Sequence, residues 1–153
     1  MKLLLRWASG IMFVLGAGHL LFGAVIARDS FVGWADRGGW AAVPLTSVGG
    51  DQSTVESLRN GVAFWAGPGS FAVPLILLSC LIWHLAGRGV TVPAAIGWAL
   101  AAWCLLGGIL LVPSPYFAGV VAGALIIRAA RLTPRPGERA SAPHRTDAAA
   151  AAR

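Results

Sequence analysis

Charged residues are scarce in this sequence, and acidic residues most of all. Of its 153 residues 12% are charged and 57% are apolar, whereas an average soluble domain has roughly 25% charged residues. The six acidic residues all lie outside the long apolar runs of the chain. Those runs therefore hold no carboxylate pair for acid–base catalysis and no acidic site for a coupled transporter. We expect that the protein is neither an enzyme nor an ion-coupled transporter.

Four long apolar runs dominate the chain. They cover about residues 5–27, 58–86, 92–112 and 115–132. A helix of about 20 residues crosses the hydrocarbon core of a bilayer, and the fourth run reaches this length only if Arg128 and Arg131 extend their heads to the interface. We predict an all-α fold, a four-transmembrane-helix bundle over residues 1–132. A loop at the outer interface follows the first helix, and a disordered basic tail covers residues 133–153.

The distribution of Lys and Arg predicts the orientation. Cytoplasmic loops of membrane proteins carry the excess of these residues. One side holds Lys2, Arg6, Arg88 and the arginines from Arg128 onward, and the other holds Arg28, Arg37 and Arg59. We predict a multi-pass protein of the plasma membrane with the N- and C-termini in the cytoplasm. The net charge of +6 is then a topology signal, and we expect no binding to nucleic acid.

Side chains that bind metals or haem are also few. Cys80 and Cys104 form no CxxC pair, and helical rise places them roughly 9 Å apart in height, beyond the reach of a disulfide. We therefore expect two free thiols. His19 and His84 fall at different depths of the predicted bundle, so they cannot be the two axial ligands of one haem. No second ligand lies within a helical turn of His19, and we expect no metal and no cofactor.

His19 is the ionisable residue deep inside the first run. Since an ionisable side chain in lipid is costly, we expect it to face protein. Gly16, His19 and Gly23 fall on one helical stripe, and the two glycines allow another backbone to approach. The imidazole is interpreted either as a packed structural group or as a group that binds a small ligand or relays a proton.

The second run contains a Gly-Pro-Gly-Ser sequence at residues 67–70 and another proline, Pro74. Each proline removes a backbone donor from a helix, so the carbonyls of Phe64 and Ser70 lose their usual partners. We predict a kink at residues 67–70. Helical rise places it at the depth of His19, whose imidazole we expect to donate to the Phe64 carbonyl or to pair with Ser70. The candidate ligand-binding residues are therefore His19, Phe64, Pro68 and Ser70.

Two short polar patterns flank the first outer loop. Ser30 is expected to cap a short helix in which Phe31 and Trp34 share one face, at the level of the lipid headgroups. The sequence Ser-Thr-Val-Glu at residues 53–56 matches a capping box, so the next helix is expected to begin near Thr54. The first turns of that helix carry an interface collar of polar residues: Glu56, Arg59 and Asn60.

The fourth run contains the motif GxxxG at Gly119 and Gly123. In an apolar helix this motif marks a close contact with another helix. The partner is either a helix of the same bundle or a second copy of the chain, which would make the protein a homodimer.

Two short motifs carry a resemblance to known proteins. Residues 16–23, Gly-x-x-His-Leu-Leu-x-Gly, and residues 59–65, Arg-x-x-x-Ala-Phe-Trp, resemble a family of small bacterial four-helix membrane proteins of unknown function. The layout also resembles, more distantly, the DoxX-type four-helix membrane proteins. The resemblance extends from about Leu4 to Arg131. It implies four spans with an outer loop after the first, and no activity, because the family has none assigned.

The function expected from these features is binding or association. The favoured interpretation is an accessory or scaffold component that acts on a membrane-protein partner within the lipid bilayer. The alternative is a protein that binds or conducts a small lipophilic molecule near His19 and Pro68. A third interpretation, a subunit of an enzyme that handles a lipid or quinone, requires a ligand-sized pocket between the first and second spans.

Overall fold

Helices form almost all of the chain that the computed structural model describes, which is residues 1–36, 55–111 and 114–133. No strand occurs in these ranges, and the predicted all-α fold is confirmed. In chain order the helices are α1 (Lys2–Ile26), α2 (Arg28–Asp36), α3 (Val55–Ala66), α4 (Ala72–Arg88), α5 (Ala94–Leu110) and α6 (Tyr116–Arg131). The first apolar run forms α1, the second forms α3 and α4, and the last two form α5 and α6.

The second run is broken where Pro68 and its two neighbouring glycines occur. The backbone N–H of Gly67 donates to the carbonyls of Ala63 and Phe64 at 3.1 and 3.2 Å, and the N–H of Gly69 donates to the Phe64 carbonyl at 2.8 Å. The carbonyl that Pro68 deprives of a helical donor thus finds donors inside the turn itself. The kink predicted here is confirmed, and it is a full interruption between α3 and α4.

Pro74 does not interrupt the chain in the same way. Because α4 begins at Ala72, Pro74 is its third residue, where a backbone N–H has no acceptor within the helix. The hydroxyl of Ser70 accepts the Ala72 N–H at 3.3 Å and so satisfies another free donor of this first turn. One proline therefore breaks the second run, and the other is compatible with the start of a helix.

The helices α1 and α6 occupy the middle of the arrangement. α1 packs along α4 and along α6, and α6 also packs along α5, while α2 packs against α3. Among the described residues no Cα atom of α4 comes within 8 Å of one in α5. The long helices therefore follow the order α4, α1, α6, α5 from one side of the molecule to the other.

Glycines bring α5 and α6 into backbone contact. A methyl group built on Gly97 would lie 2.7 Å from the carbonyl oxygen of Gly123, and one built on Gly123 would lie 2.6 Å from that of Gly97. A methyl group on Gly119 would overlap the sulfur of Cys104. The GxxxG motif therefore faces α5 of the same chain, and a contact with a second copy stays a prediction. Both Cys80 and Cys104 are free thiols, as predicted.

Two glycines of α1 likewise allow a close approach of backbones, here to α3 and α4. A methyl group on Gly16 would lie 3.0 Å from the Ala72 carbonyl oxygen of α4, and one on Gly23 would lie 2.8 Å from the Ala66 carbonyl oxygen of α3. Ser9 adds a hydrogen bond on this side, from its hydroxyl to the Ser79 carbonyl at 2.6 Å. α1 thus contacts both halves of the interrupted second run.

The start of α2 differs from the prediction. Ser30 does not cap this helix, because α2 begins at Arg28 and Ser30 is its third residue. Helical hydrogen bonding continues through the junction: the Ala27 N–H donates to Gly23, and the Phe31 N–H donates to Ala27. The Phe31 ring packs on Gly67, at the break of the second run.

Several sequence predictions lie outside the described residues. They concern the Trp34 and Glu56 side chains, the 53–56 capping box and the tail after residue 133. Nothing further is assigned to them.

Many large apolar side chains lie on the outside of the described helices, and small residues lie at several of the contacts between them. Leu3, Phe22, Leu77 and Leu110 are each more than 60% exposed, whereas Ala8, Ser9, Ala63, Ala72 and Ala122 are buried. Among the described helices, α1 is the one that is long and apolar enough to cross a membrane by length and composition. The helices α4 and α5 are apolar but shorter, with 17 residues each.

Candidate ligand-binding groove

A cavity of about 1130 Å³ opens between α1 and the N-terminal half of α6. Small-molecule sites in proteins typically have volumes of about 300–1,000 Å³, so this cavity, which is slightly larger than that range, has room for a ligand. The residues before α6 and Phe71, which precedes α4, complete its wall. We call this cavity the α1–α6 groove.

One row of residues on α1 forms the floor of the groove. Gly10, Val14, Gly18 and Phe22 follow each other at intervals of four, which places them on one face of the helix. A methyl group built on Gly10 or on Gly18 would meet no atom within 4 Å. The two glycines therefore leave hollows in the helix surface. With Trp7 at the far end, the floor extends over 15 helical steps, or about 22 Å.

Polar side chains lie at one end of the groove. They are His19 of α1, Tyr116 of α6 and Ser114 just before it. The Ser114 hydroxyl accepts the Tyr116 backbone N–H at 3.2 Å. Within the described part of the chain, neither the His19 imidazole nor the Tyr116 hydroxyl makes a hydrogen bond. Both side chains are only partly buried, so this end of the groove presents two polar groups that a ligand can reach and hydrogen-bond.

The Phe71 ring contacts both ring side chains at this polar end, those of His19 and Tyr116. Its ring centroid lies 4.6 Å from that of His19 and 5.2 Å from that of Tyr116. Trp103 of α5 closes the cluster, at 5.4 Å from Phe71 and 5.6 Å from Tyr116. These separations are typical of favourable aromatic pairs. Phe71, which lies at the break of the second run, thus packs against both the imidazole of His19 and the phenol of Tyr116.

Acidic residues, lysine and arginine do not occur in the described lining of the groove. The nearest basic residue on α1, Arg6, lies over the Trp83 ring of α4 at 5.4 Å, where a cation is attracted by the face of the indole. Arg6 is therefore engaged on another face of α1, and it is not part of the groove.

Of the predicted ligand-binding residues, one lines the groove. His19 lines the groove, whereas Phe64, Pro68 and Ser70 do not. The Phe64 carbonyl and the Ser70 hydroxyl both have backbone donors within the turn, and the contact recorded for His19 is with Phe71. The cavity also lies between the first and fourth apolar runs rather than between the first and second.

Sequence reasoning missed Phe71, Tyr116 and the hollow at Gly18. A signal for the hollow exists, because small residues at Gly10 and Gly18 are eight positions apart and share a helix face. Phe71 and Tyr116 carry no such signal, since each lies next to a turn and its neighbours depend on how distant segments meet.

The other predicted site residues lie elsewhere. In the polar collar Arg59 is exposed, whereas Asn60 is buried, with 4% of its surface exposed. In the described ranges no three His, Cys, Asp or Glu side chains are arranged to hold a metal ion.

Comparison with known proteins places the chain in a family. The model of a family of unknown function, DUF6463, matches residues 4–133, and the chain belongs to this family. No curated protein and no solved structure matches significantly. The family match agrees with the resemblance to an uncharacterised family that the sequence motifs indicate. The more distant resemblance to DoxX-type proteins finds no support in these comparisons.

Proposed function

We propose that this member of the DUF6463 family is a multi-pass protein of the bacterial plasma membrane that binds an uncharged lipophilic molecule in the α1–α6 groove. The proposal assigns binding and no reaction, in keeping with an accessory role. The observation that carries it is the groove itself, in which a hollow apolar floor leads to the polar side chains of His19 and Tyr116, which make no hydrogen bond to other described residues.

The distribution of large and small side chains supports a membrane location. A water-soluble monomer rarely exposes a continuous apolar surface, yet Leu21, Phe22, Leu77 and Leu110 are all more than 60% exposed. Helices that pack in lipid use small residues at their contacts, as the Gly97 and Gly123 contact does. The most apolar part of α1 is only 17% buried, which does not fit the core helix of a soluble protein.

Four spans, formed by α1, by α3 with α4, by α5 and by α6, then place both termini in the cytoplasm by the positive-inside rule. Reporter fusions test this part. A reporter fused after Arg153 is expected to be active in its cytoplasmic form, and one inserted after Gly50 in its external form. Reporters that place these two points on the same side would refute the topology.

A groove-filling variant tests the binding. In Gly18→Leu the new side chain enters open space inside the groove. It therefore occupies volume that the ligand needs, without disturbing the packing of the helices. The matched control is Gly87→Leu, because a side chain at Gly87 also meets no atom within 4 Å and Gly87 does not line the groove. Both changes replace glycine by leucine in a helix and raise helix propensity alike.

The measurement is the amount of lipophilic molecule that remains bound to protein purified in detergent, determined by extraction and mass spectrometry. We expect Gly18→Leu to reduce the amount of one enriched species at least about tenfold and Gly87→Leu to leave it unchanged, since loss of an apolar contact surface weakens binding in proportion to its area. An unchanged amount in Gly18→Leu, or no enriched species in the wild type, would overturn the proposal.

A further inference from the structure

We infer that the ligand of the α1–α6 groove is an uncharged lipid with a single apolar chain and a head group that accepts hydrogen bonds, such as an ester or ketone carbonyl. This inference rests on the proposed function and adds the chemical class and the orientation of the ligand. Its head lies between His19 and Tyr116, and its chain follows α1 toward Trp7.

The orientation follows from the uneven distribution of polar groups. His19, Ser114 and Tyr116 are gathered at one end of the groove, and Gly10 and Val14 line the other. A molecule that is apolar throughout would leave the imidazole and the phenol unsatisfied. A molecule that is polar throughout would lose its hydration along the apolar floor without compensation. An amphiphile with its head at the His19 end provides hydrogen-bond partners for the polar groups and an apolar chain for the floor.

The single chain follows from the shape of the floor. The hollows at Gly10 and Gly18 lie in one row, with Val14 between them. Trp7 and Phe22 stand at the two ends of this row, so the floor is long in the direction of the helix. An extended hydrocarbon chain lying along α1 fills such a floor, and it contributes to binding through each buried methylene group.

The absence of charge on the head follows from the described lining. A phosphate or carboxylate at the His19 end would meet no Lys or Arg among the described lining residues, and moving a charge from water into an apolar groove without such a partner is unfavourable. A ligand with a carbonyl oxygen is uncharged and avoids the free-energy cost of placing an unpaired charge in the groove. It can accept a hydrogen bond from an imidazole N–H, which is present in both protonation states, and from a tyrosine hydroxyl.

The test compares three probes that share one chain length: a long-chain methyl ester, the n-alkane and the carboxylate of the fatty acid. Their binding to the full chain in detergent is measured by native mass spectrometry at pH 8. We expect the ester to bind at least about fivefold more tightly than the alkane, because one net hydrogen bond corresponds to this factor, and the carboxylate to bind more weakly than the ester.

Variants of the head site identify the groups responsible. We expect His19→Leu and Tyr116→Phe each to weaken ester binding about fivefold and to leave alkane binding unchanged. The control His84→Leu removes an exposed imidazole on α4 and is expected to change neither.

The outcomes separate the inference from the proposed function. Equal affinities for ester and alkane, or tightest binding of the carboxylate, would overturn the inference while leaving a lipophile-binding groove. Insensitivity of all three probes to Gly18→Leu would overturn the proposed function itself.

Discussion

The contact between α5 and α6 should not tolerate a single methyl group at Gly123. The added carbon of Gly123→Ala would lie 2.6 Å from the Gly97 carbonyl oxygen, 2.8 Å from the Ala101 Cβ and 2.9 Å from the Ala101 backbone nitrogen, whereas 3.4 Å is the lower limit of ordinary contact. Two of these three atoms belong to the backbone and cannot rotate away. The helices must therefore separate locally by roughly 0.5–0.8 Å.

The magnitude follows from two opposing terms. A gap of this size removes a quarter to a half of the dispersion energy of the atoms that line it, and overpacking of this kind typically costs about 1–3 kcal/mol. Alanine in a helix interior recovers up to about 1 kcal/mol of helix propensity. We expect Gly123→Ala to lower the free energy of unfolding by up to about 2 kcal/mol, and to leave it about 1–3 kcal/mol below that of a glycine-to-alanine change without such a clash.

The control is Gly61→Ala in α3, where the added methyl group meets no atom within 4 Å and the propensity gain remains. Unfolding in a fixed detergent is followed by intrinsic tryptophan fluorescence, to which Trp98 and Trp103 of α5 contribute among seven tryptophans. The control should be as stable as the wild type or up to about 1 kcal/mol more stable. If Gly123→Ala is as stable as Gly61→Ala, the close approach of α5 and α6 is wrong.

Three further changes test other contacts. Ser9→Ala should destabilise the protein by about 0.5–1.5 kcal/mol in the same unfolding assay, because it removes the buried hydrogen bond to the Ser79 carbonyl; no loss would contradict this contact. In detergent, the exposed Cys80 should react with a small membrane-permeant maleimide faster than the buried Cys104, which should react at a comparable rate only after unfolding; equal rates in the folded protein would refute this difference. Pro74→Ala should change stability by less than about 1 kcal/mol, whereas a gain near 3 kcal/mol would show that this proline interrupts a helix.

The sequence predicts those features of the fold that depend on neighbours along the chain. Apolar runs locate the helices, and the glycines around Pro68 locate the break. The consequence of Pro74 depends on where α4 begins, which the local pattern leaves open. Ser30 is a good capping residue by type, but hydrogen bonding through Ala27 continues α1 almost directly into α2, so no cap is needed there.

The groove depends on contacts that no local pattern contains. The sequence indicates that His19 must avoid lipid, and His19 is therefore a candidate ligand-binding residue. Its neighbours in space are Phe71, from a turn fifty-two positions away, and the start of α6. His19, Phe71 and the start of α6 come together because α1 packs against both α4 and α6. This packing depends on the whole set of helices, and no single segment of the sequence predicts it.

The same residue type builds both the tight contacts and the hollow of this protein. Gly16 and Gly18 are two positions apart and therefore point about 200° apart around α1. Gly16 faces the Ala72 carbonyl oxygen at a distance that leaves no room for a side chain, whereas Gly18 faces open space. The glycines of α1 thus have two separate structural effects, since one face brings α4 close and the other leaves the open space in which we propose that a ligand binds. Helix packing accounts for Gly16, whereas Gly10 and Gly18 differ from the equally open Gly61 and Gly87 in that they line the groove.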